Sequence, residues 1–190
     1  MTHPQAQKID LLYDLKVQPR GGWLQLLRRE SPSPRIESVA EHTCGACLLA
    51  LLCLSENDPA YDKNRVLRLL LVHDWAEAVL GDFAHDDKTV WKPESYQIRE
   101  HELMRELCPE LYDSWCSMED GSTVEGRLAK DFDRLDSLIQ LYRYRRDIED
   151  AAAFEAFEEN VSGKLQTEPV RALWTEFKPY FMRKYPPGRN

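Results

Sequence analysis

His73 and Asp74 stand side by side at the end of an apolar run, Val66-Leu67-Arg68-Leu69-Leu70-Leu71-Val72, and Glu77 follows one helical turn later. Polar groups placed where a helix enters a core must be paired, catalytic or bound to a metal. Burying them unsatisfied costs several kcal/mol. On a helix, His73 and Glu77 share one face, while Asp74 projects about 100° from His73, so His73 and Asp74 can reach one ion from adjacent directions. A second imidazole, His42, lies upstream in Glu37-Ser38-Val39-Ala40-Glu41-His42, and Asp131, Asp133 and Asp136 are candidate carboxylates downstream. Together they point to a divalent-metal site built from helices. Two imidazoles plus two carboxylates suit Mn, Co, Fe, Ni or Zn better than Ca or Mg.

The elements that must position these residues read as helices throughout. Residues 7–16 form a short amphipathic helix through Ile9, Leu11, Leu12 and Leu15, ended by Pro19-Arg20-Gly21-Gly22. Arg28 to Arg35, with two prolines, is a loop. Ser38-x-x-Glu41 is a capping box that opens a helix running to Leu54, which puts His42 in its first turn. The next helix spans 62 or 63 to about Leu80, with Gly81 as its C-cap. A charged helix covers 93–107 behind Pro93, Pro109 and Gly121 bracket a less regular segment, and 123 to about 159 is a long helical stretch, interrupted or not. A last helix covers 168–184. No strand alternation and no internal repeat is visible, so the expectation is an all-α fold in a single domain over 1–190 with its core at about 7–184.

The whole chain bounds the function. With 190 residues, 43% of them hydrophobic and 31% charged, it is an ordinary globular chain able to bury one core. Its net charge of -8 argues against a nucleic-acid polymer as partner, because phosphate contacts need clustered Lys and Arg. A small anionic substrate needs only a few local cations. No apolar run reaches membrane-spanning length, so no membrane partner is expected. The polar start Met1-Thr2-His3-Pro4-Gln5 has no signal-peptide core, and cytoplasmic residence is the default. Five cysteines at irregular spacing, including Cys44-x-x-Cys47 inside a helix, read as reduced packing residues.

Glu37-Ser38-Val39-Ala40-Glu41-His42 and Leu71-Val72-His73-Asp74-Trp75-Ala76-Glu77-Ala78-Val79-Leu80-Gly81-Asp82 resemble, in order, the two signature segments of the HD-domain phosphohydrolases, in the 5'-deoxynucleotidase branch. The likeness extends to Pro19-Arg20-Gly21-Gly22-Trp23, Lys130-Asp131-Phe132-Asp133 and Ser162-Gly163-Lys164-Leu165. The resemblance implies that His42, His73, Asp74 and Asp133 bind one divalent ion. It also implies that Glu77 is the general acid/base, that Asp82 acts in the pocket on sugar or water, and that Arg20 holds the substrate phosphate. The implied activity is removal of phosphate from (deoxy)nucleoside 5'-monophosphates by a compact helical homodimer.

The chemistry agrees with the residue types. A divalent ion acidifies water and polarises a phosphoryl oxygen, Arg20 offers a bidentate fork to a phosphate dianion, and Glu77 lies in the right neighbourhood to protonate a leaving oxygen. Lys88 and Lys92 are expected to add positive charge at the mouth. Two other readings follow from the same residues. A di-metal oxygenase or phosphodiesterase would need His85 or His101 as further ligands, and a non-catalytic HD module would use the fold for binding alone. One departure from the family concerns specificity: residues 24–36 are longer than expected, and Ile36 stands where a Pro usually precedes Glu-Ser-Val. That loop is expected near the phosphate and sugar pocket. Tyr142, Tyr144, Phe154 and Phe157 are expected as core or dimer contacts.

Overall fold

Ser38 starts the helix that fixes the whole arrangement. Its hydroxyl accepts the Glu41 N–H at 3.3 Å, and the Glu41 carboxylate accepts the Ser38 N–H at 2.9 Å. Both N-terminal donors are thereby satisfied. The computed structural model describes residues 5–27, 34–82 and 94–188. His85, Lys88, Lys92 and Pro93 lie outside the described residues.

The order is α1 (Gln5–Tyr13), a 3₁₀ turn (Asp14–Lys16), α2 (Gly21–Leu26), α3 (Val39–Cys53), α4 (Lys63–Val72), α5 (Glu77–Leu80), α6 (Glu94–Leu107), α7 (Tyr112–Glu119), α8 (Val124–Arg143), α9 (Ala151–Ser162) and α10 (Glu168–Lys184). Among the described residues there is no strand, only an isolated antiparallel bridge between Pro19 and Ser38. The all-α expectation holds. Among the same residues no helix is long and apolar enough to cross a membrane.

Three local readings change, and one open reading, the stretch from 123, is resolved. Gly21 and Gly22 do not merely end a helix but begin α2. The segment after Pro109 is regular, as α7. The stretch from 123 is broken at 144–150, where Asp150 accepts the Ala152 and Ala153 N–H groups and starts α9. The predicted helix over 62 or 63 to 80 is interrupted at 73–76. There the winding tightens, with Trp75 N–H bonded to the Val72 carbonyl and Glu77 N–H to that of Asp74, three residues back instead of four. Gly81, at φ 74°, ends α5 in a conformation other residues rarely adopt.

α8 is the central helix and packs against α3, α4, α7, α9 and α10. Phe132, Leu135, Leu138 and Leu141 are fully buried along it. Burial of each is worth about 1.5–3 kcal/mol relative to exposure. Asp131 is also fully buried, and its carboxylate accepts hydrogen bonds from Gln166 N (2.9 Å), Thr167 N (2.6 Å) and Thr167 Oγ1 (2.7 Å). It anchors the segment that leads into α10, whose N-cap Thr167 makes no side-chain cap of its own. Cys44, expected to pack, is exposed instead, and all five cysteines are free.

Candidate metal centre

The Pro19–Ser38 bridge places the first cation beside the first imidazole. Arg20 N–H donates to the Glu37 carbonyl at 3.0 Å, and Val39 N–H to the Gln18 carbonyl at 2.9 Å. The residue before α2 is thus locked to the first turn of α3, which carries His42. α8 lies against α3 and brings two carboxylates to that imidazole from one turn. Asp133 Oδ1 is 3.0 Å from His42 Nε2, and Asp136 Oδ2 is 2.8 Å from His42 Nδ1. Asp131, the third candidate, turns away into the α10 contact. Rotation along one helix therefore separates three acids of similar spacing into three different environments.

His73 enters from the end of α4. Its Nδ1 lies 2.7 Å from the Leu70 carbonyl, which can only accept, so Nδ1 carries the hydrogen and Nε2 presents a lone pair. Trp115 Nε1 donates to the His73 carbonyl at 3.1 Å and steadies the same turn. His73 Nε2 is buried and has no hydrogen-bond partner, although Asp74 Oδ2 is 3.0 Å away. A lone pair facing a carboxylate oxygen at that separation suits two ligands of one cation. The tightened turn at 73–76 explains how neighbours about 100° apart on a regular helix can both face one point.

One donor atom each from His42, His73 and Asp133 lies within 4.8 Å of the others. Asp74 Oδ2 is 4.0 Å from His42 Nε2. These are neutral-imidazole and carboxylate donors of the kind that hold Mn, Co, Fe, Ni or Zn, and the orphaned His73 nitrogen shows that the set fits a divalent ion. Burial and Arg20 press the His42 imidazole toward its neutral form, but the hydrogen bonds to Asp133 and Asp136 outweigh them and push its pKa up to about 10. An ion entering at Nε2 therefore competes with a proton.

Arg20 is held between carboxylates. Its Nη1 lies 3.2 Å from Asp74 Oδ2, 3.2 Å from Asp82 Oδ2 and 3.9 Å from Glu77 Oε2. Asp82 Oδ2 also accepts the Gly21 N–H at 3.0 Å, and Tyr96 from α6 donates to the Gly81 carbonyl at 3.0 Å. Asp82 is thus engaged with the Arg20 segment. Glu77 Oε2 is buried without a hydrogen-bond partner. Burial raises its pKa well above the ordinary value, and the charges of Asp74 and Asp82 raise it further against the opposing pull of Arg20.

A cleft of about 510 Å³ opens over Arg20, His73, Asp74, Glu77, Asp82 and Asp133. Its far wall includes Trp23, Met118, Phe157 and Val161, with Lys130, Arg134 and Lys164 among the polar groups. Those three cations and the Glu37 carboxylate were not assigned from the residues, whereas Asp136 was one of the three candidate carboxylates. Helical spacing could have placed Lys130, Arg134 and Ser137 on the face of Asp133, but nothing local says which face of α8 meets the cleft. Tyr142, Tyr144 and Phe154 are core residues, as expected, while Phe157 packs on Trp23 with ring centroids 5.0 Å apart and lines the cleft.

His101 does not join the cluster. Its Nδ1 is 2.9 Å from Tyr112 Oη and its ring lies 4.9 Å from that of Trp115. Nor do the described residues of the longer segment, 24–27 and 34–36, line the cleft; Pro34 and Arg35 lie elsewhere. They border a separate groove with Gln140 and Tyr144.

Comparison with known proteins agrees with this geometry. A family model described as HD domain matches residues 12–174. The chain is 31% identical to 5'-deoxynucleotidase HDDC2 of Dictyostelium discoideum, over 84% of this chain and 88% of that one. It is 30% identical to 5'-deoxynucleotidase hdd1 of Schizosaccharomyces pombe, over 87% and 84%. Among solved structures, a Pyrococcus furiosus protein superimposes with a TM-score of 0.74 at 27% identity, covering 94% of this chain and 99% of its own. The chain belongs to the HD-domain family of metal-dependent phosphohydrolases, in the branch of the proteins named 5'-deoxynucleotidase HDDC2.

Proposed function

We propose that this protein hydrolyses (deoxy)nucleoside 5'-monophosphates to nucleoside and phosphate, with one divalent ion held by His42, His73, Asp74 and Asp133. The observation that carries the reading is the buried, unpartnered His73 Nε2 facing Asp74 in a cleft that also presents Arg20. The substrate class draws support from the relatives' names and from the size of the cleft, which is in the range of small-molecule sites.

An ion bound there supplies acidified water and polarises a phosphoryl oxygen. The protein's own residues do the rest. Arg20 forks onto the phosphate, with Asp82 fixing both its guanidinium and the Gly21 N–H beside it. The nucleoside extends along Trp23 and Phe157. A water oxygen bonds to phosphorus as the P–O5' bond breaks on the opposite side. Glu77 gives the proton on its carboxyl to the departing 5'-oxygen and is reprotonated by the proton that the water loses.

The test is phosphate release from a panel of ribo- and deoxyribonucleoside monophosphates, comparing metal-stripped protein with Mn, Co and Zn additions. Metal-dependent release from deoxynucleotides is the expected result. Bound metal without release from any of them would overturn the substrate class.

A homodimer is part of the same proposal. From Thr43 to Cys53, α3 carries no charged residue, yet Leu48, Leu51 and Leu52 are 53, 48 and 80% exposed on one side. An uncharged helical stripe can meet its own copy across a two-fold axis. Sedimentation should give twice the chain mass, and Leu52→Glu should return the monomer. A monomeric parent protein would exclude the pairing.

A further inference from the structure

We infer that Asp136 is the residue that positions His42 for metal, and that Gly45 is a glycine in order to admit it. The inference rests on the metal-site reading above but assigns residues outside the ligand set. His42 has no exposed surface, and both its ring nitrogens are engaged: Nε2 with Asp133 at 3.0 Å and Nδ1 with Asp136 at 2.8 Å. Asp133 and Asp136 are three residues apart on α8, so one turn of that helix embraces the imidazole from both edges. The carboxylate at Nδ1 selects the tautomer with the hydrogen there and leaves the Nε2 lone pair on the side of Asp133, Asp74 and His73. His73 is fixed the same way by the Leu70 carbonyl. Both imidazoles thus have Nδ1 anchored to the protein and Nε2 turned to one point.

Gly45 lies one turn after His42 in α3. A glycine inside a helix is less favourable than alanine, so its place in a fifteen-residue helix calls for a reason. A Cβ at Gly45 would lie 2.9 Å from Asp136 Cγ and 3.2 Å from Asp136 Oδ2, and closer still to Oδ1. All three nearest atoms belong to that one carboxyl group. The close approach is therefore specific: a Cβ here meets the Asp136 carboxylate first. Glu37 lies on the same side, with a carboxylate oxygen within 4.8 Å of donor atoms of His42 and Asp136. Its Oε1 accepts the Trp23 Nε1 hydrogen at 2.7 Å. Asp136 thus has little room to retreat without meeting a second acid.

The experiment measures the dissociation constants of Mn, Co and Zn by competition with a chromophoric chelator, for the parent protein, Gly45→Ala, Asp136→Ala and Asp136→Asn. Circular dichroism on the metal-free proteins checks the fold. Gly45→Ala and Asp136→Ala should each weaken metal binding about 10–100-fold, as loss of a partner behind a ligating histidine does. Asp136→Asn, which can still accept the Nδ1 hydrogen, should recover part of that loss. In the zinc-loaded parent, histidine ¹H–¹⁵N spectra should show the Nδ1–H tautomer at His42, and this signature should disappear in Asp136→Ala. Unchanged metal affinity in a folded Gly45→Ala protein, or in Asp136→Ala, would overturn the inference alone. A parent protein that binds none of the three metals would overturn the metal reading and this inference with it.

Discussion

Asp74→Ala is expected to abolish phosphate release and metal content together, while the helical fold survives. The carboxylate sits among three nitrogen groups, with Oδ2 3.0 Å from His73 Nε2, 4.0 Å from His42 Nε2 and 3.2 Å from Arg20 Nη1. Burial alone would raise its pKa, but His73, Arg20 and His42 outweigh that and hold it well below the usual carboxylate range. It is therefore an anion at every working pH, as a metal ligand must be. Removing it takes away one ligand and part of the charge that steadies Arg20, although Asp82 still faces the guanidinium at 3.2 Å. The ion's contribution to transition-state stabilisation is several kcal/mol, and each 1.36 kcal/mol is tenfold in rate. The expected loss is thus about a thousandfold or more. Phosphate release, elemental analysis and circular dichroism on the same preparation check it. Full activity in a metal-free Asp74→Ala protein would remove the site assignment.

Replacing Glu77 by Gln should separate binding from chemistry. Glu77 is assigned no ligand role, so metal content should persist while kcat falls about 10²–10⁴-fold, the usual worth of a positioned acid. The pH profile carries the sharper signature. Burial first, then the charges of Asp74 and Asp82, raise the Glu77 carboxyl far above its ordinary range. A raised carboxyl keeps its proton to higher pH. Its service as a proton donor is therefore present below the raised pKa and lost as pH climbs through it. Rates in the parent protein should fall along that alkaline limb, and the Gln variant should lack it. The bound ion adds positive charge nearby and moves the midpoint down from its metal-free position, yet the variant removes the limb in either case. A Gln variant that keeps both the parent rate and the limb would exclude Glu77 as the acid.

Much of this protein is written locally. Ser38 and Glu41 announce the start of α3 because a capping box satisfies donors within four residues of each other, and His42 is placed in the first turn by that fact alone. Residues 168–184 form a helix as read, since their apolar period and the proline at its start are also local. The two signature segments, in their order, were enough to place the chain in its family. The HD-domain match over residues 12–174 agrees.

The break at 73–76 was not legible, because apolar periodicity continues across it. The tightening to three-residue hydrogen bonds accompanies the Trp115 bond to the His73 carbonyl, which comes from α7, 42 residues away. The same holds for the acids of α8. Asp131, Asp133 and Asp136 differ only in rotation about a helix, and sequence alone does not say which way that helix faces. Packing of α8 against α10 ties Asp131 to the segment leading into that helix, and packing against α3 turns Asp133 and Asp136 onto opposite edges of one imidazole. Residue types, most of the helices and the family were legible in the chain. Which carboxylate meets which nitrogen was not, because that depends on the rotation of helices about their axes, which long-range packing sets and local periodicity does not.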